Sequence, residues 1–370
     1  MKVLVLTTVH SRSDSRIFAR EAPTVGSLRS VEVKVIVADG LGPESRTGYD
    51  VVDLGKPHAG RLGRFTGIYF KALRVVLHEK PDVLHVHDPE LLPLAYLAQK
   101  INRGSFVYDA HEDFPKDILD KHWIPSSLRK AVALVAGAVE AGIASKANHV
   151  VAATEHVARR FPAHRTTVIR NFPLLEEFDF VDTVRTSGDP RDFLYLGSIT
   201  EVRGVNQLVK AMPFVLHRDA RLVLAGGVTP ESFLGKMRAE AGWTRTTYMG
   251  HVHRDGLESL FQGVAAGLLT AFPKNNALES VPTKFFEYMA AGVPLIVSDF
   301  PAWRALLEDV GCALFVDPEN PRDIANAMNA ILADPRRSAL MGARGRRAVL
   351  SQLNWEREGS RLADLYQSLH

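Results

Sequence analysis

The sequence holds a single cysteine, Cys312, among 370 residues. One thiol excludes a disulfide framework and a Cys-based zinc site, and it fits a reducing compartment. No apolar run is long enough to span a bilayer. The longest, residues 131–144, is rich in Ala and Gly and is interrupted by Glu140, well short of roughly 20 continuous apolar residues. There is no low-complexity tract, no short-period repeat and no G-x-G-x-x-G at the opening of either half, so a dehydrogenase is disfavoured. An excess of one charge is nearly absent too: 45 Lys and Arg face 42 Asp and Glu, a net charge of +3. That permits an anionic ligand but gives no ground for a nucleic-acid partner. The opening run, residues 1–6, is too short for a signal peptide and leads into His10-Ser11-Arg12-Ser13-Asp14 instead of a small-residue cleavage site. It reads as a buried strand, and a cytoplasmic location is expected.

With 46% apolar and 24% charged residues, the chain is globular and long enough for two domains. Short β-branched runs alternate with longer amphipathic stretches, the pattern of parallel sheets covered by helices on both faces. In the first half, strands are expected at 3–8, 33–38, 83–86, 105–108, 149–152 and 167–169, with helices at 16–26, 65–79, 90–101 and 128–147. The periodicity breaks over 172–191, a stretch rich in Pro, Asp and Glu. It restarts with strands at 193–196, 221–225, 246–249, 267–270, 294–297 and 313–316, and with helices clearest at 204–216 and 282–291. The organisation expected is α/β, two Rossmann-like parallel-sheet domains facing an interdomain cleft. The first spans 1–178, the second 187–354, and a last helix near 355–370 crosses back to the first. Ligands of such sheets collect beyond the carboxyl ends of the strands.

Two places there carry chemistry. Residues 276–294 follow a strand and contain Glu279, Pro282, Lys284 and Glu287. Pro282 suits a first helical turn. Glu287 lies more than a turn inside an otherwise apolar helix, where it needs either an ion pair or a donor such as two ribose hydroxyls. Lys284 in the first turn opposes the helix dipole, a penalty a bound phosphate would reverse. Arg203 stands in the same situation, after the turn Gly197-Ser198-Ile199-Thr200 and directly before Gly204 and a helix. Each cation alone is more often a solvated side chain, but two at strand-to-helix turns of one domain point to a pyrophosphate.

The E-x7-E pair within "ESVPTKFFEYMAAGVP" and the earlier "YLGSITEVRG" resemble the retaining nucleotide-sugar glycosyltransferases of family 4, which have the GT-B fold. The resemblance extends to "KVLVLTTVHSRSDSRIFAREA", "PDVLHVHDPELLPLA", "VYDAHEDFP" and "VIRNFPLLEEF". It implies that Glu279 contacts hydroxyls of the donor sugar near the reacting carbon, and that Glu287 holds the ribose. It places Arg203 on the pyrophosphate, His111 on the transferred sugar and Asp88 near sugar and acceptor. Ser198 stands where many members carry a second pyrophosphate Arg, and Lys284 is conjectured to supply that charge. The first loop lacks the Gly-Gly pair, with Asp14 and Arg16 in its place. His87 is as well read as structural. Asn171 reads first as a turn cap and second as a ligand contact, while Gly226-Gly227, and Gly250 with His251, read equally as places for the backbone to approach the base and as ordinary turns.

The sequence has no D-x-D and no Cys or His cluster with metal-ligand spacing. The implied donor is therefore a UDP- or GDP-sugar bound without a metal or other cofactor, its diphosphate stabilised by cations and helix N-termini. The implied acceptor is a saccharide, a lipid-linked saccharide or a small molecule, in cell-surface polysaccharide or glycoconjugate synthesis. An epimerase of the same fold and a non-catalytic nucleotide-sugar-binding subunit are the competing readings. Residues 61–76 interleave Arg61, Arg64, Lys71 and Arg74 with apolar residues. Such a helix either packs its apolar face on the sheet or lies peripherally on the inner membrane face.

Overall fold

Residues Lys2–Leu6 form β1, flanked in parallel by β2 (Glu32–Val37) on one side and β5 (Val83–Val86) on the other. A strand paired on both edges and covered on both faces reads as an unbroken apolar run, and Val3 through Leu6 are fully buried. The computed structural model describes residues 1–56, 67–119, 121, 124–181, 190–252, 256–273, 278 and 280–369.

Beyond β5 lie β6 (Ser105–Ala110), β7 (His149–Ala152) and β8 (Thr166–Val168), all parallel. Beyond β2 lie β4 (Tyr49–Asp53), parallel, and β3 (Glu44–Arg46), antiparallel at the edge. The sheet order is β3-β4-β2-β1-β5-β6-β7-β8. β3 and β4 were not anticipated from the sequence: β3 is a charged edge strand, and β4, although paired on both sides, is broken by Asp50 and ends at Asp53, so neither shows a continuous apolar run. The helix expected over 16–26 forms in two pieces. A π-helix, Ser15–Glu21, precedes an α-helix, Ala22–Gly26. Pro23 lacks the N–H for an i−4 bond, and the wider turn closes instead with Ala22 N–H on Ile17 C=O. β6 runs two residues longer than expected and so carries Asp109 inside the sheet.

The helix expected over 65–79 is seen as Tyr69–Glu79, with residues 61–66 outside the described residues. Ile68, Ala72 and Val76 are buried and Lys71 Nζ donates to Leu54 C=O at 3.0 Å. In the described part of the proposed membrane-contact stretch, Ile68, Ala72 and Val76 are therefore packed inward, although Phe70 is exposed.

The second sheet is built from β9 (Asp192–Leu196), β10 (Leu222–Ala225), β11 (Thr246–Gly250), β12 (Val264–Leu269), β13 (Leu295–Ser298) and β14 (Ala313–Val316). Every pairing is parallel, in the order β11-β10-β9-β12-β13-β14. Separate apolar clusters cover its two faces. The helix expected at 282–291 is Thr283–Ala290, with Pro282 as the N-cap residue instead of inside the first turn.

The chain divides into two units, residues Met1–Asn171 with Trp355–His370, and Phe172–Asn354. The boundary falls before Phe172, not after residue 178, because Phe172 and Phe178 belong to the second core: the Phe172 ring lies 4.6 Å from that of Phe286. The last helix, Trp355–Ser368, docks on the first unit through Trp355 Nε1 to Thr24 Oγ1 at 2.9 Å and Tyr366 OH to His85 Nδ1 at 2.7 Å.

Candidate functional site

At the carboxyl ends of β1, β5 and β6 the first unit buries a dense polar cluster. Asp88, just past β5, accepts from Thr7 Oγ1 at 3.1 Å and from Thr8 N–H at 2.6 Å. Those residues follow β1, so the carboxylate stitches the two strand ends together. Asp109, on β6, takes the guanidinium of Arg16 with Nη2 at 2.7 Å and Nε at 3.1 Å, and lies 3.2 Å from His111 Nδ1. Asp14 caps the π-helix by accepting from Ile17 N–H and holds His10 Nδ1 at 3.2 Å. The other nitrogen of His10 faces His111 Nε2 at 3.1 Å and lies 3.6 Å from Asp88 Oδ1. Asp88 and His111, named from separate motifs, are thus brought together through His10.

The protonation pattern follows from burial and neighbours. For Asp109, burial opposes charge, but Arg16 and the His111 bond outweigh it and hold the carboxylate well below its usual range. Burial first, then Asp109 alongside, push Glu21 well above the usual range against the pull of Arg16. Burial takes His85 down to about 4, and burial with adjacent His85 lowers His87. Both imidazoles are neutral, stacked with ring centroids 4.6 Å apart. His10 goes the other way: burial opposes charge, yet the bond to Asp14 and the field of Asp88 raise it above 6.5. A protonated His10 donates to Asp14 and to His111 Nε2, which leaves His111 with its N–H on Asp109.

Glu21, His85, His87 and Asp109 offer ligand atoms within 4.8 Å of one another, and His85 Nε2 and both ring nitrogens of His87 lack hydrogen-bond partners. A metal entering there would sit beside a cation already in place, since Arg16 Nε lies 2.9 Å from Glu21 Oε1. The guanidinium already performs the neutralisation an ion would supply.

In the second unit the chemistry gathers at the carboxyl ends of β9 and β12. Arg203 closes the short helical turn Glu201–Arg203 and is exposed. Gly204 follows at φ +66°, where a Cβ would stand 1.9 Å from Thr270 C=O. Glycine alone lets this turn pack against the end of β12. Phe272 N–H on Val202 C=O at 2.9 Å joins the same two loops. The helix Thr283–Ala290 is moored to β9 by Tyr288, whose OH donates to Leu194 C=O at 3.0 Å and accepts from Leu196 N–H at 2.8 Å. Gly267 leaves room for that ring, since a Cβ there would fall 2.4 Å from it. Glu287 is 7% exposed and receives Lys284 Nζ on both oxygens at 2.7 Å. Of the two readings for Glu287, the ion pair is the one present here.

Ser198 is exposed, with its C=O accepting from Tyr195 OH at 2.8 Å. Gly250 ends β11 at φ +67°, and its C=O accepts from Gly226 N–H at 2.7 Å. Glu279 lies outside the described residues. Asn171 is the last residue of the first unit, and its Oδ1 is buried without a hydrogen-bond partner. Arg16, expected in a loop by the donor, is instead buried on Asp109. Sequence reasoning missed His10, Glu21, His85 and Tyr288. Asp14-x-Arg16-x4-Glu21 at helical spacing, following a His, was the signal for the first two.

Comparison with known proteins follows the same division. Residues 27–172 match the model described as Glycosyltransferase Family 4 and residues 179–348 the model described as Glycosyl transferases group 1. The chain belongs to glycosyltransferase family 4. Similar members include the phosphatidyl-myo-inositol mannosyltransferase of Mycobacterium tuberculosis, 26% identical over 85% of this chain and 81% of that one. An uncharacterised glycosyltransferase of Methanocaldococcus jannaschii is 23% identical over 52% of this chain, spanning 48% of its own length. Among solved structures, Anabaena HepE in complex with UDP and glucose superposes with a TM-score of 0.74, at 15% identity and complete coverage of both chains. At that identity the likeness speaks for the GT-B fold alone. Like other family 4 glycosyltransferases, this one has two parallel-sheet α/β domains.

Proposed function

We propose that this glycosyltransferase moves a hexosyl residue from a UDP- or GDP-sugar to a hydroxyl acceptor with retention of anomeric configuration, without a metal. The observation that carries the reading is the joined loop assembly of the second unit. Arg203, the end of β12 and the Lys284–Glu287 helix start are held together by Gly204 against Thr270, by Val202 with Phe272, and by Tyr288. An exposed guanidinium directly before a helix start suits a diphosphate. Glu287, partly buried at the same place, suits ribose hydroxyls once they take over from Lys284 as donors. That exchange frees the ammonium for phosphate.

In the reaction the C1–O bond to the diphosphate breaks and a C1–O bond to the acceptor forms on the same face. The acceptor proton passes to the departing phosphate oxygen. Arg203 and Lys284 stabilise the leaving charge, with Ser198 and Gly250 lining the nucleotide. Glu279 is assigned to the sugar hydroxyls. His111 is assigned to the sugar, its ring fixed by Asp109 at Nδ1 and by His10 at Nε2, and Asp88 to the sugar and acceptor. A cytoplasmic role in polysaccharide or glycoconjugate assembly, with a saccharide, lipid-linked or small-molecule acceptor, is the setting in which such a donor is used.

The test is incubation with UDP- and GDP-sugars, with and without an acceptor panel, followed by proton NMR. Release of nucleoside diphosphate with an α-configured product from an α-linked donor supports the reading. A C2-inverted nucleotide or sugar formed without acceptor would show an epimerase instead. Tight donor binding without turnover, unaltered by His111→Ala, would show a binding subunit.

A further inference from the structure

The helix Ser126–Ala144 contains the longest apolar stretch in the sequence, and its amphipathicity is reversed on one side. Its inward face carries the only acid, Glu140, which is 2% exposed, receives Tyr108 OH at 2.7 Å and pairs with Arg160. At 100° per residue, the outward half is apolar. Leu128, Val132, Leu134, Val135 and Val139 are 53%, 40%, 75%, 62% and 53% exposed. Ala131, Ala138 and Gly142 fill the spaces between them, and Ser127 is the one polar side chain on that half. A surface helix ordinarily turns charge to solvent, and a contiguous apolar patch of this kind marks a contact surface.

The charge around it selects the partner. Arg129 and Lys130 stand at the helix start and exposed Lys146 just past its end, while no acid is exposed anywhere from Pro125 to Asn148. At 1.5 Å per residue the helix is about 28 Å long. No described helix is long and apolar enough to cross a membrane. An apolar stripe without acids and with cations at both ends suits a helix lying along an anionic lipid surface. We propose that the outward face of Ser126–Ala144 seats the first unit on an anionic bilayer. This places the contact on a different element from the basic stretch 61–76.

The experiment is flotation of the full chain with vesicles of phosphatidylcholine alone and of phosphatidylcholine mixed with phosphatidylglycerol, alongside light scattering for oligomeric state. The double variant Leu134→Glu with Val135→Glu removes the apolar stripe at exposed positions, and Lys130→Glu with Lys146→Glu removes the flanking charge. Binding to the mixed vesicles is expected, weakened at least about tenfold by either variant and by added salt. Melting temperature and nucleoside-diphosphate binding are expected unchanged. Should the Glu pair lower the melting temperature, Val132→Gln with Val135→Gln serves in its place. Absence of flotation, or flotation unaltered by the variants, overturns the proposal. So does a dimer that dissociates in the Glu variant while no vesicle is bound, which would make the occupant a second copy.

Discussion

The imidazoles of His10 and His111 meet nitrogen to nitrogen, Nε2 to Nε2, at 3.1 Å. Two lone pairs cannot face each other at that distance, so one proton lies between them. It is assigned to His10, whose proton affinity Asp14 and Asp88 raise against the cost of burial. His111 in turn is fixed by Asp109, itself clamped by Arg16. Five side chains form one chain of charge from Asp14 to Arg16.

That relationship makes the two histidines act as a unit. His111→Ala is expected to lower kcat by about 10²–10⁴ with little change in donor KM. His10→Ala should approach the same loss, and the double variant should be no worse than the worse single one. Steady-state kinetics on the three proteins decide. Additive losses would mean that the contact plays no part in turnover.

Glu287→Gln removes one negative charge from a partly buried position and is expected to act on nucleotide binding. Affinity for nucleoside diphosphate should fall about tenfold or more, with kcat at saturating donor much less affected. Lys284→Ala leaves Glu287 unpaired at 7% exposure, so its melting temperature should fall in the absence of nucleotide and recover when nucleotide is added. Titration calorimetry and thermal melts of both variants are the checks.

Tyr288→Phe strips a buried hydroxyl whose two partners, Leu194 C=O and Leu196 N–H, belong to β9. Leaving both unsatisfied should cost about 1–3 kcal/mol, read as a fall of about 2–4 °C per kcal/mol for a unit of this size. An unchanged melting temperature would show that the mooring contributes nothing.

Asp117 supplies a pH signature. Burial first, then Glu112 beside it, push its carboxyl up to about 8. The native state therefore holds a proton that the unfolded chain releases near 4. Its contribution to stability is complete below about pH 4 and is lost as pH rises through about 8. Asp117→Asn cannot lose that proton, so its melting temperature should gain on the wild type steadily across this window. Parallel curves would contradict the assignment.

The sequence carried the architecture well where burial is symmetrical. Val3–Leu6 of β1 and Phe193–Leu196 of β9 are unbroken apolar runs because both faces are covered, and the periodicity shows it. β3 was illegible because an edge strand such as Glu44–Arg46 answers to solvent on one side, and β4 because Asp50 and Asp53 break its apolar run. The helix over 16–26 was legible as helical but not as broken, because Pro23 acts through a carbonyl four residues earlier. In the site, residues at strand ends were legible from motif and position. His10, Glu21 and His85 were not, since each acquires its role from a neighbour distant in sequence: His111, Asp109 and Tyr366. The pairing of Lys284 with Glu287 was legible only as one of two alternatives, because a spacing of three serves an ion pair and a shared ligand equally.

The central claim, that a diphosphate docks on the Arg203 turn, is tested most directly by calorimetric titration of wild type and Arg203→Ala with a nucleoside diphosphate and with the matching nucleoside. The account predicts that the variant loses about ten- to a hundredfold in affinity for the diphosphate and almost nothing for the nucleoside. Equal affinities of wild type and variant for the diphosphate would contradict it.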